Sequence, residues 1–478
     1  MSWLPLAHAL AARQDLPIPA WLFAWGAAIV LIVSFFALSV GWREPRFEED
    51  RWRPLGAGLS RALLGMPTQF LCGAIGILLL GLAVYAGLRG TEAPDRNFAP
   101  SFIFVTCWLG FPLLSVFFGD VFRPFNPWRA VGRLVGGGFA ALAGQRPAHL
   151  QYPRRLGRWP AAIGLVAVVW LEIVYGVSGG VSVGISPHPA AVAALVYTAY
   201  TLAMMALFGT EQWCRNGEVF SVYFNMFSQL GFLAVKDGRL GRRRPLAAAT
   251  RWASVPGSVA LVIASIATTS FDGGSEGAFL NALEWTFDRF TDAGFGLLAA
   301  RRATDTIFIL LCLAGVALVY RIGVWGMSRV AGAPPLRKLW SGFAHTLIPI
   351  AFAYLVAHYF SLFVFQEEAQ LTYLLSDPLG TGTTNLFGTA AAGIDLGLFQ
   401  IGTDDGGIDY NRISATAVWY VQVAALVVGH VIALTLAHDR ATAWWGDYRE
   451  AARSQYWMLA VMVAFSCFGL FLLSVANA

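Results

Sequence analysis

Trp21-Leu22-Phe23-Ala24-Trp25-Gly26-Ala27-Ala28-Ile29-Val30-Leu31-Ile32-Val33-Ser34-Phe35-Phe36-Ala37-Leu38-Ser39-Val40-Gly41 carries no ionisable side chain, and Arg43 and Arg46 follow it closely. A helix needs about 20 mostly apolar residues to cross a bilayer, so this run predicts a span that ends at a basic connection. Comparable runs recur near 68–88, 99–118, 160–178, 190–209, 253–270, 304–325, 339–365, 413–437 and 455–476. Of the 478 residues, 57% are hydrophobic and only 13% are charged. Soluble domains carry about 25% charged residues, and this deficit decides the class. The sequence predicts an all-α integral membrane protein, a bundle of about ten transmembrane helices with no soluble domain.

Orientation follows from the cations. The first, third, fifth, seventh and ninth connections, with Arg321 at the end of its span, hold 26 of the 33 Lys and Arg. Short cytoplasmic loops collect such residues, so the expected topology is N-out/C-out in a bacterial inner membrane. Residues 1–20 are then an outer N-terminal segment and 21–478 a single transmembrane domain. Met1 to Ala12 lacks a charged n-region, which favours a permanent first span over a signal peptide. The long outer connections, 271–302 and 366–411, are read as loops able to fold over the outer face. Segment 211–238 is read as amphipathic and cytoplasmic-side, with Phe220 to Val235 lying in the interface or re-entering.

Several function classes drop out. The net charge of +5 resides in loop arginines between apolar runs, which indicates membrane topology and no nucleic-acid partner. Cys72, Cys107, Cys214, Cys312 and Cys467 show neither a disulfide framework nor metal-binding spacing. No P-loop, GxSxG elbow or HExxH motif occurs. Paired Gly/Pro-broken helices in matching halves, the usual pointer to a secondary transporter, are also missing.

Ionisable groups at membrane depth are costly and mark sites. Here they fall in two layers. The outer layer holds Glu172, Asp272 and His358, with His8 able to reach the same rim. Two carboxylates with one or two histidines suit a divalent metal or a general base. Asp272 and Glu172 are candidates for ligand or base, His358 for ligand or acid, and His8 for a fourth group. Glu172 has no opposite charge nearby in sequence, whereas Asp272 follows Thr268-Thr269-Ser270 at a span end, where a cap explains it equally well.

The second layer holds His345, His430, His438 and Asp439. His345 and His430 are expected at equal depth on adjacent antiparallel helices, roughly 10 Å inside the boundary at 1.5 Å per residue. There they could share one metal or one haem. The structural readings are a packing role for each lone histidine and a helix-end cap for His438-Asp439-Arg440. Haem is the weaker ligand: His345 and His358 are 13 apart, as in two-haem bundles, but His430 and His438 are only 8 apart. Asp120, Asn126, Arg129, Glu211, Arg215 and Glu218 flank this layer, and Asp120 with Arg129 is a natural pair to fix a loop.

Strings along the chain resemble a known family. They are Arg13-Gln14-Asp15-Leu16-Pro17-Ile18-Pro19-Ala20-Trp21, Phe125-Asn126-Pro127-Trp128-Arg129, Gly217-Glu218-Val219-Phe220-Ser221-Val222-Tyr223-Phe224, Ser270-Phe271-Asp272-Gly273, Ala357-His358-Tyr359-Phe360-Ser361, Leu375-Ser376-Asp377-Pro378, Trp419-Tyr420-Val421-Gln422 and Gly429-His430 with Ala437-His438-Asp439-Arg440. In order and spacing they resemble the bacterial membrane proteins labelled fenitrothion hydrolase. The resemblance implies cleavage of the P–O–aryl bond of an apolar organophosphorus triester, and it assigns no residue a role. Other classes fit the residues too: a transporter, a haem- or copper-binding redox component, or an assembly subunit of a larger membrane complex. In each case the partners are membrane lipid and either an apolar small molecule or neighbouring subunits.

Overall fold

Each of the ten apolar runs folds as a helix. The computed structural model describes residues 20–47, 51–145, 147–178, 181–182, 185–252, 255–275, 277–369, 374–386 and 413–476. Its principal helices are α1 (Ala20–Gly41), α2 (Met66–Arg89), α3 (Phe98–Phe118), α4 (Pro127–Ala143), α5 (Trp159–Tyr175), α6 (Pro187–Phe208), α7 (Val219–Ser228), α8 (Ser258–Ser275), α9 (Leu280–Asp292), α10 (Leu297–Met327), α11 (Ile348–Ala369), α12 (Ala415–Trp445) and α13 (Tyr448–Ala476). Eight of these, α1, α2, α3, α6 and α10 to α13, are long and apolar enough to cross a membrane. The chain is a multi-pass, all-α membrane protein.

Of the other two runs, α5 is shorter at 17 residues, and α8 is explained by its position. Helix α8 has 18 residues, of which 15 are buried, against α5, α10, α11 and α13. Protein surrounds it in place of lipid, so it can carry Ser265, Thr268, Thr269, Ser270 and Asp272 at depth. Helices α1 and α6 are the opposite case. They turn Trp25, Ile29 and Val33, and Leu195, Val196 and Tyr200, outward, as lipid-facing helices do.

Both ends of the bundle are tied by contacts between connections. Arg53–Pro54 pairs antiparallel with Arg239–Arg242, which pairs in turn with Leu233–Lys236. The Arg158 N–H donates to the Pro256 carbonyl at 2.6 Å, and the Lys338 ammonium sits 5.0 Å over the Trp444 ring. The Asp439 carboxylate accepts from the backbone N–H groups of Arg46 (2.5 Å) and Phe47 (3.1 Å). These contacts gather the five Arg-rich connections at one end. At the other, Thr91 N–H donates to Leu379 O at 2.8 Å and Phe98 N–H to Pro378 O at 3.1 Å. The Arg302 guanidinium there donates to Tyr175 O at 3.1 Å.

Three local readings differ from the sequence expectation. Residues 271–302 hold helices in place of a loop: α8 runs on to Ser275, and α9 and the start of α10 follow. The hydroxyls that suggested a cap bond back along their own helix, Thr268 to Ala264 O (2.8 Å), Thr269 to Ser265 O (3.1 Å) and Ser270 to Ile266 O (2.8 Å). With their needs met inside the helix, the chain continues one turn past them. Helix α7, at ten residues about 15 Å long, is too short to cross. It is packed among α3, α5 and α11 with Phe220, Tyr223, Phe224 and Phe227 buried. Of the 366–411 connection, residues 366–369 continue α11 and 374–386 are also described, where the Asp377 carboxylate accepts from Gly382 N–H (2.7 Å) and the Thr384 hydroxyl.

Candidate functional site

The last turn of α8 crosses the middle of α11 and brings Asp272 to two consecutive residues. Its carboxylate, 4% exposed, accepts on Oδ2 from His358 Nε2–H at 2.8 Å and from the Tyr359 hydroxyl at 2.6 Å. Neighbours on a helix point about 100° apart, so His358 and Tyr359 straddle the carboxylate. A donor at Nε2 places the imidazole's basic lone pair on Nδ1, a tautomer inferred from the hydrogen bond. Gly273 packs on that side: a Cβ there would stand 3.2 Å from Nδ1.

Glu172 comes to the same place from α5. It lies in Leu171–Tyr175, which winds as a π-helix; Ser101–Gly110 of α3, packed against α11, does the same. Such wide turns concentrate at functional sites. The Glu172 carboxyl is half-buried and lies within electrostatic reach of Asp272 and of Tyr359. The structure therefore brings together three of the outer-layer residues, Glu172, Asp272 and His358. It adds Tyr359, whose signal was only its place beside a membrane histidine. His8 lies outside the described residues.

The second layer separates. His430 Nδ1–H donates to Leu426 O at 2.8 Å and His345 Nδ1–H to Gly342 O at 2.9 Å, and each buried Nε2 has no hydrogen-bond partner among the described residues. They are not at equal depth. Gly429 packs on Ala353 and the Pro349 carbonyl, and the His430 ring lies 6.3 Å from that of Tyr354. His345 instead lies near Arg440. The equal-depth expectation treated the inner ends of α11 and α12 as level, yet α12 runs to Trp445 while Leu336–Gly342 and a short 3₁₀ turn precede α11. Asp439 also accepts from Trp42 Nε1–H at 2.9 Å, and His438 Nε2–H donates to Trp42 O at 3.0 Å. Both residues thus fasten the first connection. Among the described residues, no three His, Cys, Asp or Glu side chains form a metal-ligating group.

A third polar centre lies under α7. The fully buried Glu218 carboxyl accepts from Tyr197 OH (2.6 Å), Asn126 Nδ2 (3.0 Å), Phe220 N–H (3.0 Å) and Ser221 N–H (2.7 Å). Burial pushes its pKa up, against the pull of the Ser221 and Tyr197 hydrogen bonds. Asn126 meanwhile caps α4 through Arg129 N–H at 2.8 Å. Arg129 pairs with Glu211 (2.8 Å) and not with Asp120, and Asp120 is held by Asn225 Nδ2 at 2.9 Å. Arg133 (2.9 Å) and Arg123 (3.3 Å) also reach Glu211. Partial burial works to raise the Glu211 pKa, but the three guanidiniums hold it below the usual carboxylate range.

Between α2, α3, α5 and α6 lies a lateral cavity of about 1080 Å³, open to the outside along Ile163, Val196 and Tyr200. Its walls are almost wholly apolar, including Leu79, Ile103, Ile163, Ala167 and Val196. Trp170, Leu171 and Tyr175 place one end of it on the helix that carries Glu172, and Phe125, Pro127 and Trp128 line the Arg-rich end. No protein-family model, curated protein or solved structure matches this chain.

Proposed function

We propose that this chain is a hydrolase of apolar organophosphorus triesters, built as a ten-span bundle in the bacterial inner membrane with both termini outside. The 2.8 Å contact between Asp272 and His358 inside the bundle carries the reading. A carboxylate that holds Nε2–H orients the ring and stabilises the imidazolium formed when Nδ1 takes a proton. In the reaction, His358 Nδ1 removes a proton from water as its oxygen attacks phosphorus. The P–O–aryl bond then breaks, giving a dialkyl thiophosphate and a nitrophenolate. Tyr359 fixes the carboxylate, and Glu172 supplies a second carboxyl within electrostatic reach of Asp272 as an alternative base; among the described residues the three do not form a metal-ligating group. Phosphorothioate triesters are apolar and partition into the bilayer, so a site within the helices meets them where they concentrate. The gathering of 26 of 33 Lys and Arg in the odd connections supports the orientation.

A second reading, a proton-coupled carrier, draws on one observation. Below the site the Ser265 hydroxyl donates to Tyr223 OH at 3.3 Å, which carries hydroxyls from Asp272 toward α7. Nitrophenolate release from fenitrothion by purified protein in detergent, with and without a strong chelator, separates the readings. Turnover lost on chelation and restored by a divalent ion identifies a metallohydrolase. Turnover that resists chelation identifies the carboxylate–histidine base. Folded protein that releases no nitrophenolate rejects the hydrolase.

A further inference from the structure

One end of the 1080 Å³ cavity is lined by the segment that carries Arg123 and leads into Arg129 and Arg133. Cavity and arginines together point to a lipid. The cavity extends from His188 and Tyr175 at one end to Phe125, Pro127 and Trp128 at the other, so it follows α5 and α6 along their length. Its volume reaches the top of the roughly 300–1,000 Å³ range of small-molecule pockets, and its walls offer little but hydrocarbon and aromatic surface. Such a space suits acyl chains.

The charge at its Arg-rich end is unbalanced. The segment that lines this end, Phe122 to Trp128, contains Arg123 and is followed by Arg129, and Arg133 comes one turn later on α4. All three converge on the carboxylate of Glu211, and Asp120 lies within electrostatic reach of Arg123 and Arg129, so three guanidiniums face two carboxyl groups and the cluster stays net positive. Arg129 is buried, but the side chains of Arg123 and Arg133 are 54% and 47% exposed. Arg133 also has Gln69 of α2 as a partner, its Nη1 lying 2.7 Å from Oε1. Basic pockets between membrane helices on the cytoplasmic side hold anionic headgroups.

From this juxtaposition we infer a structural binding site for one anionic phospholipid, its acyl chains in the α2–α3–α5–α6 cavity and its phosphate on Arg123 and Arg133. This inference does not rest on the hydrolase. Phosphotriester chemistry needs Asp272 and His358, which do not line the cavity, so a protein with no turnover could still hold the lipid.

Native mass spectrometry of the full chain tests it, with titrations of phosphatidylglycerol, phosphatidylcholine of the same chains, diacylglycerol and inorganic phosphate. The expected result is retention of one phosphatidylglycerol at least tenfold tighter than phosphatidylcholine. Near a membrane surface each arginine is worth roughly fivefold in affinity, so Arg123→Ala with Arg133→Ala should weaken retention about 25-fold. Arg123→Lys with Arg133→Lys should keep most of it and guards against misfolding as the cause. Ala167→Trp, which obstructs the middle of the cavity, should weaken retention at least tenfold while both arginines remain. Equal affinity for the two phospholipids, or full retention by the double alanine variant, overturns the headgroup assignment. Full retention by Ala167→Trp, or equal stabilisation by inorganic phosphate alone, overturns the seating of the chains.

Discussion

Replacing Glu218 with alanine should be among the most damaging single changes in the chain, although Glu218 takes no part in the proposed chemistry. Its carboxyl is wholly buried and accepts four hydrogen bonds, from Tyr197, Asn126, Phe220 and Ser221. At a net value of about 1 kcal/mol per hydrogen bond, the loss is about 4 kcal/mol, near the top of the range for point mutations. About 1 kcal/mol of that is the lost cap on α7. Glu218→Gln keeps an acceptor for two of the donors and should cost about half as much. The exposed Arg453–Glu450 pair (2.6 Å) is the control: Glu450→Ala should stay within about 0.5 kcal/mol of wild type. Reversible denaturant titration in mixed micelles, followed by tryptophan fluorescence, measures all three. A Glu218→Ala midpoint matching that of Glu450→Ala would mean that the α4–α6–α7 junction is not held by this carboxyl.

Two further outcomes follow from the geometry. Gly273→Ala should lower turnover at least tenfold with little change in thermal stability, because its methyl group would stand 3.2 Å from His358 Nδ1; unchanged turnover in a steady-state assay would move the reacting water elsewhere. Glu211, held below its ordinary pKa in the folded chain, contributes stability that is complete above its unfolded value of about 4.3 and lost as pH falls through the folded one. The stability difference between wild type and Glu211→Gln should therefore shrink as pH is lowered from about 5 to 3, and a difference that grows would contradict the arginine cluster.

The fold was legible because lipid is a demanding solvent. All ten apolar runs became helices, and the arginines marked the connections that share one end. What composition could not distinguish was lipid from protein as the surroundings of a helix. That is why α8, central and polar, falls short of the apolar length that α1 and α6 meet easily. The candidate site was half legible. Glu172, Asp272 and His358 stood out as charges at depth, and they converge. Tyr359 carried no such mark, since tyrosine is ordinary in membrane helices. The second layer misled because depth was counted from estimated helix ends. The α12 register against α11 then separates His430 from His345, and Asp439 turns to the backbone of Arg46 and Phe47. Glu218 was noticed only as a flanking charge, because two of its four donors, Asn126 and Tyr197, come from segments distant in sequence.

The measurement that bears most directly on the central claim is single-turnover cleavage of fenitrothion in proteoliposomes by wild type, Asp272→Asn and His358→Ala, each shown to be folded and inserted. Loss of an oriented general base should cost roughly 10²- to 10⁴-fold in rate, so both variants should fall by at least a hundredfold. Wild-type rates in both variants, with turnover otherwise intact, would contradict the assignment of the Asp272–His358 pair.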